Sequence, residues 1–219
     1  MILNLYTEMT HRKRNKIRKI KQRILILCEG YTEEIYLKGL KYTLNRDVQR
    51  DISIIITKSS DTEPEMVLKE AIAKKKRAES ELQPYKEIWL VFDDDSRKNL
   101  KTVFSDAKKN DIKIAYSSIS IEFWFLLHFE KKAKVYADAD KAGNQFKTHI
   151  HGYYKTMPDI YDILKPHYKG KAVPNAVWLR KQKEYNNMWE SYKLKPITTV
   201  DILTETLLNI ELKRNEEKK

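Results

Sequence analysis

The sequence has a single cysteine, Cys28, among its 219 residues. One thiol closes no disulfide within the chain and builds no cysteine-based zinc site. It stands inside the apolar run ILILC and reads as a small buried side chain. Glycine and proline are scarce as well, at 5 and 6 residues, so few breaks interrupt regular structure. No internal repeat is present. No apolar run approaches the roughly 20 residues needed to cross a bilayer. The basic N-terminal stretch has neither an apolar segment behind it nor a small-residue cleavage site. A soluble, cytoplasmic protein without a membrane partner is expected. No GxxxxGK[ST] motif occurs, so this chain is not itself a P-loop ATPase, and any nucleotide hydrolysis falls to a partner.

Positive charge is what the sequence has in excess. Lysine and arginine number 43 against 31 acids, a net charge of +12. The stretch HRKRNKIRKIKQR, residues 11–23, holds 8 of those cations and no acid. Such concentration points to a polyanionic partner, nucleic acid first. The 13 tyrosines and 4 tryptophans supply large side chains to bury. Two later stretches mix aromatic and basic residues: HIHGYYK (149–155) and WLRKQKEYNNMWESYK (178–193). The first resembles a base-stacking surface. The second fits nucleic acid or a partner protein equally. His149 and His151 have no third ligand in reach and are not read as a metal site.

The first half of the chain alternates between two patterns. Continuous apolar runs at 23–28, 52–57, 87–93 and 112–117 read as buried strands. Between them, 32–44, 64–82 and 99–110 carry helical spacing, with Thr32 as a plausible N-cap and Pro64 near a helix start. IEFWFLLHFE (121–130) is read as a helix leading into further helix. Beyond about residue 130 the strand signals stop. The expectation is an α/β core with a mostly parallel sheet covered by helices on both faces. A basic arm (1–21) precedes the core (22–130), and a helical C-terminal portion (131–219) packs on it.

The acids fall where such a sheet binds ligands, beyond the carboxyl ends of its strands. Glu29 follows the first strand directly, and Glu33 stands one helical turn later. Asp93, Asp94 and Asp95 end the third strand; alternation lets Asp93 and Asp95 face one pocket while Asp94 points away. Glu122 lies just past the fourth strand. Several carboxylates in one pocket raise one another's pKa unless a cation compensates. A hard divalent ion, Mg²⁺ or Mn²⁺, suits an all-oxygen donor set. Carboxylate-held Mg²⁺ that bridges to phosphate serves phosphoryl transfer. His128, Lys38 and Arg97 lie nearby in sequence. They read as a core histidine and solvated cations.

These residues resemble a known arrangement. CEGYTEEIYL is similar to the glutamate element of Toprim domains in OLD-like nucleases, and VFDDDSR to their DxD element. The ordered set CEGYTEEIYLKGL, VFDDD, SISIEFWFLLHFE and KPITTVDILTETLL resembles the RloB-like family, a Toprim-related group, over roughly residues 15–210. SSISIE replaces the residues usual before the FE of the third element. The resemblance implies a Toprim-like α/β core and a metal-dependent endonuclease. Glu29, Asp93 and Asp95 would hold the metal, with Glu33 and Glu122 completing the site. It also implies a bacterial anti-phage or abortive-infection role beside an ABC-type ATPase partner. A non-catalytic nucleic-acid-binding or regulatory subunit and a primase-like enzyme remain alternatives.

The basic arm yields a test of its own. Deleting residues 1–20 removes 6 of the 8 cations, since Lys21 and Arg23 remain. If the arm grips nucleic acid, affinity falls, and the log–log salt slope drops by about 0.7–0.9 for each phosphate no longer gripped. Turnover at saturating substrate is unchanged. If it grips the partner ATPase, nucleic-acid binding is normal and co-purification fails. A titration of binding against salt, paired with a pull-down, separates the two.

Overall fold

The computed structural model describes residues 21–94 and 99–210. The basic arm through residue 20 and the candidate ligand Asp95 lie outside them, as does Arg97.

Four parallel strands form the frame: β1 (Gln22–Cys28), β2 (Ile52–Lys58), β3 (Glu87–Asp93) and β4 (Lys113–Ser118). A fifth, β5 (Ile197–Thr198), pairs antiparallel with β4, and the order across the sheet is β2-β1-β3-β4-β5. The strands lie within a residue of the apolar runs that announce them. Their interiors are apolar on both sides because both faces are covered. On one face, Ile24, Ile26, Trp89 and Val91 pack beneath α1 (Tyr31–Thr43), α5 (Ile121–Leu126) and the C-terminal helices. On the other, Leu25, Leu27, Leu90 and Phe92 meet α3 (Pro64–Ser80) and α4 (Leu100–Lys109). The expected α/β core with C-terminal helices is therefore present. Among the described residues no helix is long and apolar enough to cross a membrane.

Several local expectations need correction. Strand signals do not stop at residue 130, because β5 lies far beyond it. Two residues are too short for periodicity to register. They are held instead by specific partners: Thr198 pairs with Ser117, and the Thr199 hydroxyl accepts from the Tyr116 amide at 2.9 Å. Helix α5 is shorter than read and ends at Leu126, with no helix until α6 (Ala139–Lys147). Its apolar periodicity reflects complete burial: Phe123, Trp124, Phe125, Leu126 and Leu127 are all inaccessible. Thr32 lies inside α1, whose N-cap is Gly30 with no side-chain cap. A short helix, α2 (Arg46–Asp51), is too brief for its spacing to announce; Asn45 caps it through the Asp47 amide.

The C-terminal region is tied in by close packing and by charge. Helix α1 runs against α7 (Ile160–Leu164), and a Cβ on Gly39 would meet the Tyr161 Cβ at 2.5 Å. From α8 (Val173–Gln182), Arg180 forks onto Asp201 of α9 (Val200–Leu208) at 2.5 and 2.7 Å. Burial still raises the Asp201 pKa, with Arg180 opposing. Such a carboxylate depends on its partner. Arg180→Ala leaves it buried and unpaired, and the loss expected is about 3–5 kcal/mol. A urea titration should show a lower midpoint.

Candidate functional site

Parallel pairing delivers three strand ends to one edge. Cys28 is level with Val91, and Asp93 with Ser117. The ladder runs on past β1, where the Glu29 amide donates to the Val91 carbonyl at 2.8 Å. Glu29 and Asp93 consequently end adjacent strands side by side. Glu29 Oε2 accepts from the Asp93 amide at 3.3 Å. Asp93 Oδ2 accepts from the Ile121 amide at 3.1 Å, which ties β3 to the start of α5. That tie brings in Glu122, the next residue on α5. Glu33 joins from the first turn of α1.

Glu29, Glu33 and Glu122 are all buried. Their mutual effect is electrostatic. Burial lifts the Glu33 pKa to about 7, with Glu29 and Glu122 adding to the rise. Burial likewise holds Asp93 well above the usual carboxylate range, and Glu33, Glu122 and Glu29 reinforce it. The four acids expected together among the described residues are therefore brought together. Asp95, the fifth, lies outside those residues.

The donor set fits a hard divalent cation. It is wholly carboxylate, and Glu33 Oε2 is buried with no hydrogen-bond partner. Gly30 makes room for that oxygen, since a Cβ there would stand 2.6 Å from it. Among the described residues no three His, Cys, Asp or Glu side chains form a ready-made ion cage. The acids lie near enough to act on one another without closing on one point.

Two neighbouring side chains have partners that sequence could not supply. Tyr153 donates its hydroxyl to Glu122 Oε1 at 2.9 Å. It belongs to HIHGYYK, whose basic-aromatic mixture suggests an outward surface; in fact Tyr153 is buried and Tyr154 exposed. Asp94, read as pointing away, is buried and meets Lys195 at 2.5 Å. No local signal links either to its partner: Tyr153 and Glu122 are 31 residues apart, and Asp94 and Lys195 about a hundred. His128 is wholly buried, with Nδ1 3.1 Å from the Trp124 carbonyl. Burial lowers its pKa to about 3, so it stays neutral and is a core residue. Lys38 is taken by Glu34 at 2.8 Å. Among the C-terminal aromatics, Trp178 packs against the core and takes Lys131 over its ring at 4.6 Å.

A family model described as RloB-like protein matches residues 24–207. No curated protein and no solved structure matches the chain.

The raised Glu33 pKa has a direct consequence for stability. The folded state holds this proton more tightly than the unfolded chain, so the contribution of Glu33 to stability is fully present below pH 4.5 and is lost as pH rises through about 7. A tenfold change in proton affinity corresponds to about 1.4 kcal/mol. Glu33→Gln removes the charge and keeps the shape. Thermal melts in EDTA should show it more stable than the parent at pH 8, with the advantage shrinking towards pH 4.5.

Proposed function

The chain belongs to the RloB-like protein family, and we propose that it is a divalent-metal-dependent nuclease that hydrolyses phosphodiester bonds of RNA or DNA. The observation that carries this reading is the buried, unpartnered Glu33 Oε2 in a group with Glu29, Asp93 and Glu122, where burial and neighbouring carboxylates raise the Glu33 and Asp93 pKa values. Repulsion of this kind is costly to maintain unless a cation relieves it in the working state.

Glu29, Glu33, Asp93 and Glu122, with Asp95, would hold Mg²⁺ or Mn²⁺. Once bound, the ion supplies charge neutralisation at the scissile phosphate and a water of lowered pKa. The chain's own task is orientation. The Asp93 amide fixes one oxygen of Glu29, and the Ile121 amide fixes one of Asp93. Tyr153 fixes one oxygen of Glu122. Each bond holds one carboxylate oxygen and so sets the direction of its side chain. All three supports come from backbone or buried side chains, which hold their geometry without loop closure.

The family resemblance supports a wider setting, in which the chain is the effector of an anti-phage or abortive-infection system and works with an ABC-type ATPase. A second reading, a non-catalytic nucleic-acid-binding or regulatory subunit of such a complex, is favoured by one observation. No three-ligand cage stands assembled among the described residues.

Asp93→Asn separates the two. It preserves volume and removes one charge from the pocket. The nuclease reading expects cleavage of RNA or DNA in Mg²⁺ or Mn²⁺ to fall by more than about 100-fold, since even outer-shell changes at metal sites cost 10–100-fold. The fold should be retained, with a melting temperature equal to or above the parent's. Unchanged cleavage accompanied by a lower melting temperature would make Asp93 structural.

A further inference from the structure

A site built of carboxylates repels the phosphates it is meant to receive. Something beside it has to attract the strand, and the described residues offer one arrangement that does. Tyr31 opens α1 between Glu29 and Glu33, yet it is 59% exposed. It belongs to neither hydrophobic core cluster, so packing does not account for it. Lys58, the last residue of β2, is level with Cys28 across the adjacent strand and so stands beside Glu29. Its ammonium lies 5.4 Å from the centroid of the Tyr31 ring, over the ring. Lys38 on α1 is already paired with an acid, Glu34, whereas the Lys58 ammonium donates to the neutral Ser59 carbonyl at 3.0 Å and keeps its charge for a phosphate.

We propose that Tyr31 and Lys58 form a platform at the lip of the carboxylate pocket that binds single-stranded nucleic acid, Tyr31 stacking on an unpaired base and Lys58 meeting the adjoining phosphate. The inference deepens the nuclease reading, on which it rests for the substrate class. The selectivity follows from the ring. An exposed aromatic face can stack only on a base whose own face is open, and a duplex hides those faces between neighbouring pairs. A cation held over the ring supplies the charge that the pocket lacks and adds to the attraction for a phosphate one nucleotide away. The platform adjoins Glu29 through Lys58 and Glu33 through the first turn of α1. A strand seated there runs past the acids.

The test measures binding in EDTA, where nothing is cut. The probes are labelled single strands of about 12 nucleotides, as RNA and as DNA, within the span of such sites. A blunt duplex of the same sequence serves as the comparison. The intact protein should prefer the single strands. Tyr31→Ala should weaken their binding by about 5–150-fold, the loss of one base stack, while Tyr31→Phe retains it. In Tyr31→Trp, single strands but not duplex should quench the added indole. Lys58→Ala should lower the salt slope by about 0.7 for one phosphate. Unaltered binding in Tyr31→Ala, or equal losses for duplex and single strand, would overturn the platform. The two readings fail separately. If the parent cleaves and Tyr31→Ala binds and cleaves as well as it, the platform falls and the nuclease stands. If Tyr31→Ala loses single-strand binding but the parent cuts nothing in Mg²⁺ or Mn²⁺, the platform stands and the nuclease falls.

Discussion

Parallel strand register is the constraint on which the rest depends. Carboxylates on separate sequence segments meet only because β1, β3 and β4 run the same way and end nearly level. Buried ladders on both faces make that register stiff, since a slip of one residue would turn every apolar side chain to the wrong layer. The sheet thus supplies the force that holds like charges together. Burial of the acids and, behind it, their repulsion work against it, as the upward shifts of Glu33 and Asp93 record.

The frame was legible because its signal is collective. Each buried strand is announced by a run of consecutive apolar residues, and no single substitution would mask that. Glu29, Glu33, Asp93 and Glu122 were legible for the same reason: their positions follow from where the strands end. What escaped is what pairwise contacts decide. Tyr153 touches Glu122 across 31 residues, and the step from a buried Tyr153 to an exposed Tyr154 has no compositional mark. Strand β5 exists through hydrogen bonds to Ser117 and Tyr116 rather than through its own propensity. Helix α5 misled because a wholly buried segment has no polar face to time its turns.

The glycine of the EG element illustrates how two demands fall on one position. Its backbone is extended, with φ near −121°, a conformation open to any residue. What its missing side chain serves is the carboxylate of Glu33 folded over it, which a Cβ would make shift. The two residues are one device: a missing side chain at Gly30 is the space in which the unpartnered oxygen of Glu33 sits.

The edge strand β5 also bears on how the protein is made. The Ile197 amide reaches Ser118 from 79 residues further along the chain, and Lys195, the cation on Asp94, arrives at the same moment. At ribosomal elongation rates the interval between them is about 4–16 s. Throughout it, the nascent sheet has an open β4 edge, and the carboxylate beside the last residue of β3 lacks its lysine. An emerging chain thus holds the acidic strand ends early but completes their surroundings only near the finish of translation. The neighbourhood of the pocket matures after synthesis is almost done.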